Sequence, residues 1–143
     1  VPALGPVVAA IPDQVARAPI DGKIGLGSDV TIGEGAGTID AVLALNPDIA
    51  IAAQDAVAGA RSKAKLATFD LSGNVVSSIK SGKIRFAIDQ QQYLQDYLPV
   101  VFLYLYKLNL NTVGGGLPVL TGPGFVDKSN ASQVEALAKK GTR

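Results

Sequence analysis

An α/β domain, with a mainly parallel sheet covered by helices on both faces, is the fold class this sequence predicts, and three observations predict it. Short apolar runs recur along the chain, each followed by polar residues and then by a stretch of helical character, which is the alternation of strand–helix–strand units. Residues 49–53 are continuously small and apolar, as strands buried on both faces are. Residues 83–110, KIRFAIDQQQYLQDYLPVVFLYLYKLNL, form the clearest unit. There, large and small residues alternate over 84–88, and a polar switch follows at Asp89-Gln90-Gln91-Gln92. Leu94, Leu98, Val101, Leu105 and Leu108 then recur at spacings of four, three, four and three, the period of a buried helical stripe.

Taken in order, residues 6–10 read as a strand, and Pro12-Asp13 opens a short helix that ends before Pro19. Asp21-Gly22 marks a turn ahead of a second apolar piece, residues 23–26. Val30-Thr31-Ile32 is β-rich and residues 33–37 are a glycine loop. Thr38 then caps an expected helix with Ile39, Val42 and Leu43 on one face and Asn46-Pro47 as its stop. Residues 49–53 follow as a strand, with Gln54-Asp55 at its carboxyl end and a short helical stretch over 55–63. A strand over 66–69 ends in Asp70. Val75, Val76 and Ile79 give a helix stopped at Gly82. After the long helix, residues 117–120 are expected to be the last strand, and residues 130–140 a terminal helix with Val134 and Leu137 inward. No linker or tandem repeat divides the chain, so one domain over 1–143 is expected.

Composition excludes several function classes. Thirteen Lys and Arg against twelve Asp and Glu leave a net charge of +1, without the clustered cations of a nucleic-acid surface. The longest apolar run, residues 97–106, is too short to span a bilayer and contains Pro99. The chain has no Cys, Met, His or Trp, so thiolate and imidazole chemistry are unavailable to it. The joint absence of these four, Met above all, leads us to expect a processed, abridged, engineered or computed sequence, and any targeting peptide is expected to have been removed or never to have been there.

Three predicted strands end in polar residues: Gln54-Asp55, Asp70, and Asp89-Gln90. In open α/β sheets ligands sit beyond the carboxyl ends of the strands, so these side chains are expected to share one rim. Carboxylates and amides together suit a neutral polyhydroxylated ligand, because every hydroxyl both donates and accepts. Each such residue alone is explained as a helix cap or turn former; it is their convergence that suggests a site. The glycine loop with Thr38 departs from the dinucleotide pattern and carries Glu34, so no nucleotide cofactor is expected. The pair Asp55 and Asp70 could in principle supply the two carboxyl groups of a glycosidase, but nothing in their spacing favours it. No loop has the dense carboxylates of a calcium site, so no metal is expected. Tyr93, Tyr97, Tyr104 and Tyr106 fit an ordinary helix rim, with Tyr93 nearest the polar switch.

NPDIAIAAQDAVAGA, KLATFDLS, IKSGKIRFAIDQQQYLQDYLPVVFLYLYKLNLN, LPVLTGPGFVDKSNA and the closing ALAKKGTR resemble the C-terminal lobe of type I periplasmic sugar-binding proteins, the ribose-binding-like receptors of ABC importers. The resemblance covers residues 29–143 and is weak or absent over 1–28. It implies a Rossmann-like, flavodoxin-like three-layer lobe that binds a monosaccharide or polyol without catalysis or cofactor. By position it implies Gln54, Asp70 and Gln90 as ligand contacts, with Asp55 and Asp89 supporting them. The implied setting is the periplasm, with the membrane subunits of an ABC transporter as partners. Such receptors are about twice as long, and the helix after Asp55 looks shortened. A missing partner lobe or a second copy is therefore expected against the exposed inter-lobe face. The alternative is an isolated or engineered scaffold that keeps the fold, lacks ligand binding and self-associates.

Overall fold

The computed structural model of the chain describes residues 7–10 and 39–143. Its elements run β1 (Val7–Ala10), β2 (Ala41–Ala44), α1 (Pro47–Gly59), β3 (Lys65–Phe69), α2 (Gly73–Lys80), β4 (Ile84–Asp89), α3 (Gln92–Asn109), a single 3-10 turn at Gly114–Gly116, β5 (Gly124–Asp127) and α4 (Ala131–Lys140). The strands form one sheet in the order β1-β2-β3-β4-β5. β1 to β4 are parallel and β5 closes the edge antiparallel. The expected α/β class with a mainly parallel sheet is what the chain adopts.

One face of the sheet is the core. Val42 and Ala44 of β2, Leu66 and Thr68 of β3, Ala87 and Asp89 of β4, and Val126 of β5 are buried there. α1 packs on β2 and β3, while α2 packs on β4 and lies between α1 and α4. They contribute Ala50 and Ala53, then Val75, Val76 and Ile79, then Ala131, Val134 and Ala138 to the same cluster. At the surface Glu135 of α4 receives hydrogen bonds from Lys80 of α2 at 2.5 Å and Lys139 at 3.0 Å, which push its carboxyl down to about 2.

Several expectations need correction. Residues 41–44 form β2, where a helix carrying Ile39, Val42 and Leu43 was expected. Residues 49–53 lie inside α1, where a strand was expected. Both errors have one cause: Asn46-Pro47 starts a helix. The Asn46 Oδ1 accepts from the Ile49 N–H at 2.9 Å, and Pro47 occupies the first turn with Asp48. Such a cap, a proline without a donor to lose and an early acidic residue are all favoured there. The apolar runs on either side were too short to separate helix from strand by period.

Residues 117–120 are not a strand, since Pro118 cannot donate to a ladder; β5 forms at Gly124–Asp127 instead. Leu137 of α4 is 42% exposed, with Ala138 taking the inward place. In α3, Leu94, Leu98, Val101 and Leu105 are the half-buried side, but no residue is buried and Leu108 is exposed. The expected helix over 12–18, the strand at Val30-Thr31-Ile32 and the glycine loop of 33–37 lie outside the described residues. No helix among the described residues is long and apolar enough to cross a membrane.

Candidate functional site

Three neighbouring parallel strands deliver polar residues to one rim. β2 leads into Asn46, β3 into Asp70, and β4 ends in Asp89 ahead of Gln90. Asn46 stands at the start of α1, where the Thr68 hydroxyl of β3 donates to its carbonyl at 3.3 Å. Asp70 extends the ladder by one step, its N–H donating to the Ile88 carbonyl at 2.8 Å, and then turns the chain with a φ of 64°. Asp tolerates that left-handed conformation better than most residues.

Asp70 is the electrostatic centre of the rim. It is 6% exposed. The Gln90 Nε2 donates to its Oδ2 at 3.2 Å, while its Oδ1 is buried with no partner. Burial away from water raises the carboxyl above the ordinary Asp range, hydrogen bonds from Gln90 oppose that rise, and the Asp89 charge adds to it. A buried acceptor left open is uncommon in folded proteins and calls for a partner.

Asp89 has a different job. It is fully buried, and both of its oxygens are used. Oδ1 accepts from the Gln91 N–H at 2.8 Å and Oδ2 from the Arg143 Nε at 2.8 Å. It thereby fixes the bend after β4, where Gln91 adopts a φ of 59° before α3 begins. The Thr121 hydroxyl donates to the Gln90 carbonyl at 3.0 Å. At Gly122 a side chain would come within 3.1 Å of the Asp89 carbonyl, so glycine lets this turn lie against the strand end. Gln90 is thus held from both sides of its peptide.

Beside Gln90 opens a cleft of about 340 Å³, lined by Phe69 and Ile88 from the strand ends, Gln95 from α3, and Leu120, Thr121 and Pro123. That is within the range of small-molecule sites. A larger open groove of about 650 Å³, lined by Arg85, Phe86, Phe125 and Lys128 among others, contains none of the predicted site residues.

The structure therefore brings Asp70, Asp89 and Gln90 together as expected. Gln54 and Asp55 are elsewhere: they lie within α1, about two turns past Asn46, and form no hydrogen bond with the rim. Gln54 keeps a buried, unpartnered Oε1 in that position, and Asp55 is exposed. Sequence reasoning missed Asn46, Thr121 and Arg143. The signal for Asn46 was present in Asn-Pro-Asp, a cap, a first-turn proline and an acid in succession. Nothing local marked Arg143, because its partner is 54 residues away. Among the described residues no cluster of three or more His, Cys, Asp or Glu is placed to hold a metal.

No family profile matches the chain. Among solved structures, a carbohydrate transporter from Acidothermus cellulolyticus 11B in complex with myo-inositol is 48% identical, with a TM-score of 0.72, over 74% of this chain and 37% of that one. A solute-binding protein of an ABC transporter from Agrobacterium vitis, bound with α-D-tagatopyranose, is 28% identical with a TM-score of 0.53, over 71% of this chain and 34% of that one. A xylose/arabinose-binding protein of Sulfolobus acidocaldarius is 39% identical over 62 residues, which are 43% of this chain and 15% of that protein. The chain is similar to one lobe of the type I periplasmic sugar-binding proteins. It spans little more than a third of the Acidothermus structure's length.

Proposed function

We propose that this lobe holds a neutral monosaccharide or polyol at the rim of Asn46, Asp70 and Gln90, as part of the substrate-binding component of an ABC sugar importer in the periplasm. The observation that carries the proposal is the Asp70 carboxylate, with one oxygen engaged by Gln90 and the other buried and open. A sugar hydroxyl donating to that oxygen supplies the missing bond, and a charged acceptor makes it worth about 1.5–3 kcal/mol. Gln90, whose amide also holds Asp70, lines the cleft beside the rim together with Gln95, and the two offer both donors and acceptors. Phe69 gives a sugar's apolar face a ring to lie against. The Acidothermus relative, crystallised with myo-inositol, supports a polyol as the ligand class. Asp89 and Arg143 hold Gln90 in place without meeting the ligand.

The ligand leaves unchanged in this reading. The two acids a glycosidase would need are an exposed helix residue, Asp55, and a buried strand-end residue, Asp70, with no partner in common.

One lobe offers about half of the contacts of a closed site, so affinity should be weak, on the order of 1–100 mM. Titrating the isotopically labelled chain with myo-inositol, L-arabinose and D-xylose by NMR tests this. Saturable shifts are expected at the Asp70 and Gln90 amides and are expected to vanish in Asp70→Ala. A folded chain silent to every sugar, or shifts that persist in Asp70→Ala, would overturn the proposal.

A further inference from the structure

α3 carries a second stripe that no other described element covers. Tyr93, Asp96, Val100, Leu103 and Lys107 of α3, followed by its C-cap Leu110 in the left-handed conformation, recur at spacings of three, four, three, four and three, the first five at the a and d positions of a heptad. This is a different face from the half-buried stripe of Leu94, Leu98, Val101 and Leu105. All six residues are exposed, with Val100 at 68%, Leu103 at 69% and Leu110 at 75%. Tyr97, Tyr104 and Leu108 widen the apolar strip, and the Tyr93 and Tyr97 rings stack along it with centroids 6.3 Å apart. Neither Asp96 nor Lys107 has an ion-pair partner among the described residues.

The stripe is complementary to its own reverse. Inverting α3 about the midpoint between Val101 and Phe102 carries Tyr93 onto Leu110, Asp96 onto Lys107 and Val100 onto Leu103. We propose that this face binds a second copy of the chain, with the two α3 helices antiparallel about a two-fold axis beside Val101. Val100 then meets Leu103 of the partner subunit twice at the centre, and Asp96 meets Lys107 of the partner subunit at both ends. A parallel pairing would set Asp96 against Asp96 and Lys107 against Lys107, which like charges oppose. The charge order therefore selects a closed, isologous dimer over the parallel pair.

The 18 residues of α3 are about 27 Å long. A single helix pair of that length buries less than the roughly 800 Å² per partner of a standard interface. The dimer is accordingly weak, and it forms as concentration rises. It does not depend on sugar binding, since none of the six residues lines the cleft beside Gln90.

Sedimentation equilibrium of the whole chain, from micromolar to near-millimolar concentration at low salt, reads the association directly. The average mass should climb from the single-chain 14.6 kDa toward twice that value. Asp96→Lys alone and Lys107→Asp alone should each weaken the dimer by about tenfold or more, by setting like charges opposite one another. The double exchange, Asp96→Lys with Lys107→Asp, should recover the wild-type constant to within about threefold. Far-UV circular dichroism confirms that each variant keeps its helices. A chain that stays monomeric throughout would overturn the proposal and leave the face for an unlike partner, such as the rest of a longer receptor. Indifference to the charge exchanges, or growth beyond a dimer, would overturn it equally.

Discussion

Asp70 is buried, charged and short of one partner, three properties that cost stability and suit a ligand contact. Its carboxyl is raised by burial, so the folded state holds its proton to higher pH than the unfolded chain does. With that sign, wild-type stability falls as pH rises from the ordinary Asp value of about 3.9 through the raised folded value, and the cost persists at neutral pH. Asp70→Asn has no such proton to lose. Its stability relative to wild type should therefore improve as pH rises through that window, and chemical denaturation across pH 3 to 8 measures the difference. A constant offset between the two proteins at all pH would show that Asp70 does not titrate abnormally. The residue was legible in the sequence because an acid directly after a β-rich run is a local pattern. Its orphaned oxygen was not, because that depends on what the fold packs around it.

At the scale of elements, the chain segment after α4 is tied to the end of β4 by one ion pair. Asp89 is 0% exposed, and among the described residues Arg143 is its only cationic partner. Removing one member of such a pair leaves an uncompensated buried charge, so Arg143→Ala should cost about 3 kcal/mol in urea unfolding. The loss should be smaller in Arg143→Ala combined with Asp89→Asn, because the remaining group is then neutral; equal losses would mean the tail contributes packing alone. Element types were readable where a signal was strong and local. β3, α2, β4 and α3 were found near their observed bounds; the Ser72 Oγ, which accepts from the Val75 N–H and caps α2, was a local signal left unread. β2 and α1 were exchanged because Asn46-Pro47 was read as an end when it is a beginning. Misplacing that one boundary moved the expected rim amide from Asn46 to Gln54.

At the scale of the whole molecule, the core lies on one side of the sheet. Leu43, Phe69, Phe86 and Ile88 on the opposite side stay half-buried, and α3 makes no extended contact with any other described element. Local stability should follow that layout. In dilute solution, α3 amides should exchange with solvent at least ~100-fold faster than those of α2 and β4 in hydrogen-exchange mass spectrometry. Protection should rise with concentration if the helices pair; uniform protection would mean α3 is packed as firmly as the rest. Alternating runs, caps and turn residues in the sequence by itself determined the α/β class, the parallel strands and the polar ends of β3 and β4, because those signals act within a few residues. Tertiary structure alone decided that one Asp70 oxygen is buried without a partner, that Arg143 reaches back to Asp89, and that a helix patterned for burial has faces left open. Those outcomes depend on which distant segments meet, and no period or local motif encodes a meeting between residues so far apart in the chain.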